Sequence, residues 1–222
     1  MQNRGGVKDS KSPVAAPTVQ PTIPSANPTL VPSHLPSSAL PTAEPTPQAT
    51  EPPILLGMTA LHNELRASVN PPAYPPEPPL QWDEQIAIGA QAWASNCTYG
   101  HGGDGADILG YGQNIFASFG LGSSTASEVF YWWGPYEKTY YDYATNSCLD
   151  GVDCGHYTQI IWASTTSIGC GFAICTVNNP WGSQYNSFPW LNWVCNYNPS
   201  GNNYVQVKGD DFEEELPYNT KP

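Results

Sequence analysis

Basic residues are scarce in this chain, which has 7 Lys and Arg against 19 Asp and Glu and a formal net charge of −12 at pH 7. After position 54 the positive charges are confined to Arg66, Lys138, Lys208 and Lys221. Binding to nucleic acid or to an anionic membrane surface requires clustered Lys and Arg that release counterions. The sequence therefore predicts neither nucleic acid nor an anionic membrane as a partner.

Long apolar runs are also missing. A helix that crosses a bilayer needs a run of about 18 or more apolar residues, and the sequence contains none. Met1 to Gly6 has neither the apolar centre nor the small-residue cleavage pattern of a secretory signal. We expect no transmembrane segment, and we expect that a secretory signal has been removed.

Aromatic residues are absent from the first fifty positions, where proline recurs about every fourth residue from Pro13 to Pro45 with Ser or Thr between most of them. Such a segment cannot bury enough apolar surface to become ordered. We predict a disordered stalk over residues 1–54, either O-glycosylated and stiff or an unmodified linker. One aromatic-rich domain should follow over 55–209, and residues 210–222 read as a solvated acidic tail that need not fold.

Six cysteines are present, none in a CxxC or Cys/His spacing typical of structural zinc sites. Disulfides formed in an oxidising compartment are the better interpretation, although six cysteines allow fifteen pairings. Asn96-Cys97-Thr98 is an N-glycosylation sequon, with Asn96 as the acceptor. The sequence therefore favours a secreted, extracellular glycoprotein. The cysteines are Cys97, Cys148, Cys154, Cys170, Cys175 and Cys195.

Three amphipathic patterns predict helices. Met58, Leu61, Leu65 and Val69 fall on one face of the first, and Asp83 should cap the second. The third should run from Ser124 to Trp133, end near Pro135, and carry Val129 and Trp132 into the core. These are the positions from which the helical part of the fold is predicted.

Alternation of apolar residues predicts strands at residues 114–118, 168–176 and 191–197, while the run from His156 to Trp162 fits a helix or a strand. Helices that flank an antiparallel sheet give an α+β fold.

Four stretches give the chain a recognisable pattern: H-N-E-L-R from His62, C-G-H-Y-T-Q-I-I-W from Cys154, I-G-C-G-F-A-I-C from Ile168 and V-C-N-Y-N-P-S-G-N from Val194. With these motifs the chain resembles the CAP superfamily of cysteine-rich secretory, antigen 5 and pathogenesis-related class-one proteins, most closely its fungal secreted branch. The resemblance covers about Leu55 to Lys208. It implies a disulfide-stapled, three-layer α-β-α sandwich with a central antiparallel sheet.

The resemblance also implies roles for individual residues. It pairs Cys97 with Cys175, Cys148 with Cys154 and Cys170 with Cys195, and it gives His62 and Asn63 structural hydrogen bonds inside the fold. His101, His156 and Glu137 match a central cleft of the family. The second cleft glutamate belongs to a G-E-N motif, and this chain instead has Gln113 in Gly112-Gln113-Asn114.

Two imidazoles and a carboxylate can hold zinc and a reactive water, beside which a second carboxylate could act as base. Gln113 is neutral and cannot be that base. The chain therefore requires no cofactor, and a zinc or magnesium ion at His101 and His156 would bind weakly. The alternative is a water-filled cleft in which both histidines form hydrogen bonds.

Tyr111, Ile115, Phe116 and Phe119 form an apolar cluster flanked by glycines, which predicts a loop that opens over an apolar ligand. The resemblance implies sterol binding beneath such a loop and fatty-acid binding between helices; core packing is the alternative. A second group of aromatic residues is either a glycan- or protein-binding surface or, as we favour, a buried hairpin lid. It comprises Trp181, Tyr185, Phe188, Trp190 and Trp193.

We therefore interpret the chain as a secreted, non-enzymatic protein that binds a small apolar lipid, with a sterol as the leading candidate. No G-x-S-x-G elbow is present, and neither a Walker-type nor a dinucleotide-type glycine pattern lies between a predicted strand and a predicted helix. One alternative is a metal-assisted hydrolase or protease that uses His101, Glu137 and His156. Another is an extracellular protein that modulates immunity by binding a host protein or a cell-wall partner.

Overall fold

The structure is a computed structural model that describes residues 50–103, 110–122, 124–208 and 211–220. Of the predicted stalk it describes only residues 50–54, so the remainder of that prediction lies outside the described residues. The helices in the described part of the chain lack the combination of length and apolar character that a bilayer crossing requires.

In these described residues, four α-helices form where the sequence patterns indicate. The first three confirm the predicted helices, and the ambiguous run after Cys154 is helical. Asp83 caps the second helix, because its Oδ1 accepts hydrogen bonds from the amides of Gln85 at 2.8 Å and Ile86 at 3.2 Å. The helices are α1 (Met58–Arg66), α2 (Glu84–Ser95), α3 (Ala126–Tyr131) and α4 (Gly155–Ile160).

The end of the third helix differs from the prediction. Beyond α3 the chain continues as a π-helical turn, Trp132–Tyr136, which includes Pro135. Trp133 is 1% exposed and Trp132 is 44% exposed, so the prediction that Trp132 enters the core is wrong. Trp133 lies four residues after the buried Val129 and therefore on the same helical face. Its indole Nε1 donates a hydrogen bond of 3.0 Å to the Ile115 carbonyl, which anchors the π-helical turn on the sheet.

The part of the chain that the structure describes contains eight strands, which form one central sheet and two hairpins. The central sheet has the order β1-β5-β6-β2. The pairs β5–β6 and β6–β2 are antiparallel as predicted, and only the two-residue edge strand β1 runs parallel to β5. The strands are β1 (Gln81–Trp82), β2 (Gly112–Phe119), β3 (Tyr141–Asp142), β4 (Ser147–Cys148), β5 (Ser167–Cys175), β6 (Trp190–Asn198), β7 (Tyr204–Lys208) and β8 (Asp211–Glu214).

The central sheet is covered by helices on both faces. Leu191, Trp193 and Tyr197 of β6 belong to the large core cluster that contains residues of α1, α3 and α4. Val194, on the other face of the strand, packs with Ala90 and Ala94 of α2. Because side chains alternate along a strand, β6 is buried on both sides. The predicted three-layer α-β-α sandwich is confirmed.

Glycine makes the close approach of α2 to the sheet possible. A Cβ atom at Gly171 of β5 would lie 2.3 Å from the Cα of Gln91, which is well inside van der Waals contact. Gly169 is in a similar position beneath the backbone of Ala87. Any larger residue at either position would push the helix away from the sheet.

The six cysteines form three disulfides, Cys97–Cys175, Cys148–Cys154 and Cys170–Cys195. These are the pairs that the resemblance implies. Cys170 and Cys195 are direct partners in the β5–β6 register, so this disulfide joins adjacent strands. Cys97 follows α2 and Cys175 ends β5, so their disulfide ties the outer helix layer to the sheet.

The expectation that the C-terminal acidic segment need not fold is wrong for its described part. Residues 211–214 form β8, which pairs with β7. Tyr218 is buried and stacks on Tyr143 with ring centroids 4.8 Å apart, while the Tyr143 hydroxyl donates to the Tyr218 carbonyl at 2.8 Å. The backbone pairing and the aromatic contact order a segment whose charge alone indicated exposure.

Candidate functional site

His101 and Gln113 form the first of two polar pairs predicted to line the cleft. His101 Nδ1 donates to Gln113 Oε1 at 3.3 Å, and the Gly102 amide donates to the same oxygen at 3.1 Å. Gln113 Nε2 donates to the Gly102 carbonyl at 3.0 Å and to Asn196 Oδ1 at 2.9 Å. A glutamate could accept but not donate, so two of these bonds depend on the amide. Gln113 therefore attaches residues 101–102 to the sheet.

His156 and Glu137 form the second pair. His156 Nδ1 donates to Glu137 Oε1 at 2.5 Å, and the His156 and Tyr157 amides donate to Glu137 Oε2 at 2.9 and 3.1 Å. Glu137 directly follows the π-helical turn, and the Trp133 ring of that turn stacks on the imidazole at a centroid distance of 6.0 Å. The carboxylate fixes the ring orientation, and a neutral His156 presents the lone pair of Nε2.

Strand β2 connects the two pairs through neighbouring residues. Gln113 contacts His101, and the next residue, Asn114, donates from Nδ2 to the His156 carbonyl at 3.1 Å. The four predicted cleft residues thus form two separate pairs, His101 with Gln113 and His156 with Glu137. Strand β2 contains Gln113 and contacts the second pair through Asn114. The arrangement can hold two imidazoles in fixed orientations and exchange protons at their Nε2 atoms.

The described side chains do not fit a resident zinc or magnesium ion. Among them, no three His, Cys, Asp or Glu groups come together as a metal site would require. Glu137 already accepts three hydrogen bonds, and Nδ1 of both histidines is engaged. Only two Nε2 atoms remain, whereas protein zinc sites use three or four protein ligands. The function proposed below uses no metal.

His62 has the structural role that the resemblance implies. Its side chain is completely buried, Nδ1 donates to the Met58 carbonyl at 2.8 Å, and Nε2 accepts from the Tyr197 hydroxyl at 2.9 Å. Asn63 pairs with the backbone of Leu80 through both side-chain atoms, at 3.0 and 2.7 Å. Both residues hold α1 on the domain and are unavailable for chemistry.

Burial lowers the pKa of His62 to about 4, from an ordinary value of 6.5. The unfolded chain therefore takes up a proton before the folded chain does. The contribution of neutral His62 to stability is complete above pH 6.5 and is lost as the pH falls toward 4. We expect the difference in unfolding free energy between the native protein and His62→Gln to change by about 3 kcal/mol from pH 7 to pH 4.

The measurement is chemical denaturation of both proteins at several pH values. Both proteins contain every other titrating group, so the difference between them isolates His62. If the difference in unfolding free energy between the two proteins does not change over this pH range, the pKa of His62 is not lowered in the folded protein.

The residues predicted to bind lipid do not form a loop. They lie on or next to β2, which pairs with β6 over its whole length from Gly112 to Phe119. Ile115 is buried beside α2, whereas Phe116 packs against the large cluster on the opposite face of the sheet. Tyr111 precedes the strand and is half-buried. Because side chains alternate along β2, Phe116 faces away from Ile115 and Phe119, so the predicted set does not line one pocket. Phe119 is the strongly exposed member, at 44%.

Phe119 is the centre of an exposed aromatic cluster. Its ring centroid lies 5.6 Å from Trp181, 5.7 Å from Tyr185 and 5.8 Å from Phe188. Phe119, Trp181, Gln184 and Tyr185 line a groove of about 510 Å³, here called the Phe119 groove. The predicted buried lid is wrong for these residues, because Trp181, Tyr185 and Phe188 are exposed and only Trp190 and Trp193 are buried.

Asn179 organises the loop that carries these rings. Its Nδ2 donates to the carbonyls of Tyr185 at 3.1 Å and Phe188 at 3.4 Å, and its Oδ1 accepts from the Trp181 amide at 3.1 Å. The Gly120 amide donates to the Pro189 carbonyl at 2.9 Å and so joins the end of β2 to the same loop. The sequence signal for this site was the group of aromatic residues from Trp181 to Phe188, for which a binding surface was the alternative to the predicted lid.

Comparison with known proteins gives a family match and several relatives. A family model described as "CAP: Cysteine-rich secretory protein family" matches residues 59–197. The chain is 36% identical over 166 residues to peptidase inhibitor 16 of Bos taurus, covering 74% of this chain and 33% of the relative. It is 38% identical over 130 residues to pathogenesis-related protein PR-1 of Medicago truncatula, covering 57% of this chain and 65% of the relative.

The chain is also 38% identical over 150 residues to peptidase inhibitor R3HDML of Mus musculus, covering 64% of this chain and 56% of the relative. It thus spans between about one third and two thirds of the length of these relatives. They are mammalian and plant proteins, so the finer resemblance to the fungal branch stays a prediction.

Two solved structures have a similar fold. Venom allergen-like protein 4 of Schistosoma mansoni matches with a TM-score of 0.50 at 22% identity, over 75% of this chain and 94% of the other. BmVAL-1 also has a TM-score of 0.50, at 23% identity, over 81% of this chain and 86% of the other. At this level of identity the likeness concerns the fold alone.

Proposed function

Because the chain belongs to the cysteine-rich secretory protein (CAP) family, we propose that it acts outside the cell as a non-enzymatic protein that captures a small apolar lipid. The proposed ligand is a sterol, with a fatty acid as the second lipid candidate, and the proposed site is the Phe119 groove. The observation that carries the proposal is the volume of this groove, about 510 Å³, together with its exposed aromatic walls.

The size and chemistry of the groove support a sterol. Sites for small molecules enclose roughly 300–1,000 Å³ and combine apolar walls with few polar groups. Phe119, Trp181 and Tyr185 supply flat apolar surface, and the Gln184 side chain is the polar group at the groove. A fused-ring ligand offers flat apolar faces to such rings and a single hydroxyl to an amide. Exposed aromatic clusters of this kind typically mark binding sites.

Aromatic replacement in the groove tests the proposal. We expect Phe119→Ala and Trp181→Ala each to weaken saturable cholesterol or ergosterol binding about tenfold, because each removes ring area that the ligand would bury. Trp132→Ala is the matched control, since Trp132 has the same 44% exposure as Trp181 but lies on the π-helical turn. Phe116→Ala should instead reduce stability, because Phe116 packs against the core.

Binding is measured by equilibrium titration with a radiolabelled sterol. If the native protein binds sterol and both groove variants bind it equally well, the groove is not the site. If the native protein binds neither sterol nor fatty acid, the proposed function itself is wrong.

The names of two relatives favour a second candidate. Those proteins are called peptidase inhibitors, which supports an extracellular protein that binds another protein rather than a lipid. The same exposed rings would suit a protein contact, since aromatic residues are enriched at interfaces. Competition separates the two candidates, because a sterol bound in the groove should displace a partner that uses Trp181 and should leave other partners bound.

A further inference from the structure

A polar cavity of about 300 Å³ lies between the β3–β4 hairpin and the start of α4. The hairpin and the residues before α4 supply Tyr141, Asn146, Ser147 and Asp153 to its walls, and Asn202 reaches it from the segment after β6. Asp153 and Ser147 are exposed, and the other three residues are half-buried. Water and small solutes can therefore reach the polar groups of this cavity.

The walls of the cavity are held in place by bonds between its segments. Asn202 Nδ2 donates to the Gly155 carbonyl at 2.9 Å, and Asn202 Oδ1 accepts from the Thr158 hydroxyl at 2.8 Å. Asp153 Oδ1 accepts from the Gly155 amide at 2.8 Å. The Cys148–Cys154 disulfide joins β4 to the residue that precedes α4. A ligand would thus meet a preformed shape, and its binding would not have to order a loop.

The wall residues have hydrogen-bonding capacity that the protein does not use. Asp153 Oδ2 has no hydrogen-bond partner among the described residues, although each carboxylate oxygen can accept two hydrogen bonds. Asn202 uses one of the two N–H groups of Nδ2 and one of the two lone pairs of Oδ1. The cavity therefore offers both donors and acceptors to a ligand.

The charge of the walls excludes several classes of ligand. Among the described residues that line the cavity, Asp153 carries the one charge, so an anion would be repelled and would find no cation. Calcium takes six to eight oxygen ligands and is held by several carboxylates, and the described residues contain no cluster of three His, Cys, Asp or Glu groups. An apolar molecule would remove water from these polar groups without replacing its hydrogen bonds.

We propose that this cavity binds one neutral sugar ring, either as a free monosaccharide or at the end of a glycan. Sugar hydroxyls donate and accept, so they match a carboxylate and an amide together. The C–H groups of the sugar ring would pack on Tyr141, whose hydroxyl donates to Asn146 Oδ1 at 2.8 Å and so fixes the aromatic ring. The volume is at the lower end of the range for small-molecule sites, which suits a single ring. This site is separate from the Phe119 groove and does not depend on the function proposed for it.

Titration of the full, isotopically labelled chain tests the proposal by NMR, in buffer that contains EDTA to exclude binding through a metal ion. The probes are D-glucose, D-mannose, D-galactose and N-acetyl-D-glucosamine. We expect at least one of them to cause saturable shifts at the backbone amides of Ser147, Gly155 and Asn202. Intermolecular NOEs from the sugar ring protons to the Tyr141 ring would place that sugar in the cavity without any mutation.

Two further probes define the chemistry of the ligand. Cyclohexanol has a six-membered ring with a single hydroxyl, and it should bind at least tenfold more weakly than the sugar because it leaves most of the polar groups without a partner. The methyl glycoside of the bound sugar resembles the end of a glycan. Retained binding of the methyl glycoside assigns the site to glycan ends, and its loss assigns the site to free monosaccharides.

Asp153→Asn tests the role of the carboxylate. We expect it to weaken sugar binding about tenfold, because hydrogen bonds to an ionised acceptor are about twice as strong as those to a neutral one. Asp142→Asn is the matched control and should leave the affinity unchanged. Asp142 Oδ1 likewise accepts from the amide two residues later, that of Ala144, at 2.9 Å, but Asp142 does not line the cavity.

Ser147→Phe provides a second variant, since Ser147 is exposed and a ring at this position should obstruct the cavity and abolish binding. It keeps the proposal testable if Asp153→Asn does not fold. The proposal is wrong if none of the four sugars gives saturable shifts, if cyclohexanol binds as tightly as the sugar, or if the shifts are confined to the Phe119 groove. Equal affinities of the native protein and Ser147→Phe would also contradict it.

Discussion

Replacement of Arg66 by methionine is expected to lower the free energy of unfolding by about 3–5 kcal/mol, the range for the loss of one partner of a buried charge pair. Arg66 is 2% exposed and supplies five hydrogen bonds to the carbonyls of Pro78, Ile160, Trp162 and Thr165. It thereby joins α1 to the segment before β1 and to the end of α4. Methionine would keep much of the packing volume but none of these bonds, and it would leave Glu77 without its neighbouring positive charge.

Chemical denaturation followed by tryptophan fluorescence measures this effect. Lys138→Met removes a positive charge that makes a single, exposed hydrogen bond to the Ser68 carbonyl, and it should change stability by less than about 1 kcal/mol. Arg66→Lys should fall between these values, because an ammonium has three donors and cannot reproduce the planar fork. Equal stability of Arg66→Met and the native protein would contradict the structural role given to Arg66.

Removal of the Cys97–Cys175 disulfide by serine at both positions is expected to reduce stability by about 4.5 kcal/mol. The two cysteines are 78 residues apart, and a longer closed loop removes more conformational entropy from the unfolded chain. The Cys148–Cys154 disulfide closes a separation of only 6 residues, so its removal should cost about 2 kcal/mol by the same relation.

The two double-serine variants form a matched pair, since each removes one disulfide and adds two hydroxyl groups. Their unfolding free energies, measured under conditions that keep the remaining disulfides oxidised, should differ by about 2 kcal/mol or more. A larger loss from the Cys148–Cys154 variant would show that local packing, and not loop closure, determines the contribution of these disulfides.

The sequence located the elements that depend on local chemistry. The Asp83 cap and the start of α2 were predictable, because a cap is satisfied by amides two and three residues away. The strands β5 and β6 were predictable from alternating apolar residues. The disulfide pairs followed only from the resemblance, since fifteen pairings are open on sequence grounds.

Predictions from the sequence were wrong where contacts with distant residues determine the local structure. Flanking glycines indicated a loop that opens around the strand predicted at residues 114–118, but pairing with β6, some 77 positions later, holds all of Gly112–Phe119 in the sheet. Trp133 rather than Trp132 enters the core because the Trp133 indole donates a hydrogen bond to the Ile115 carbonyl. The acidic C-terminus folds because Tyr218 packs on Tyr143.

The amino-acid sequence by itself determined the family, the positions of the helices, the Asp83 cap and the buried strands, because each of these depends on neighbours within a few positions or on a shared motif. Only the tertiary structure decided which residues line the Phe119 groove and that Glu77 has no hydrogen bond. Both properties depend on contacts between distant segments. The N–H groups of Arg66 donate to backbone carbonyls as far as 99 positions away, so none of them donates to the neighbouring Glu77 carboxyl group.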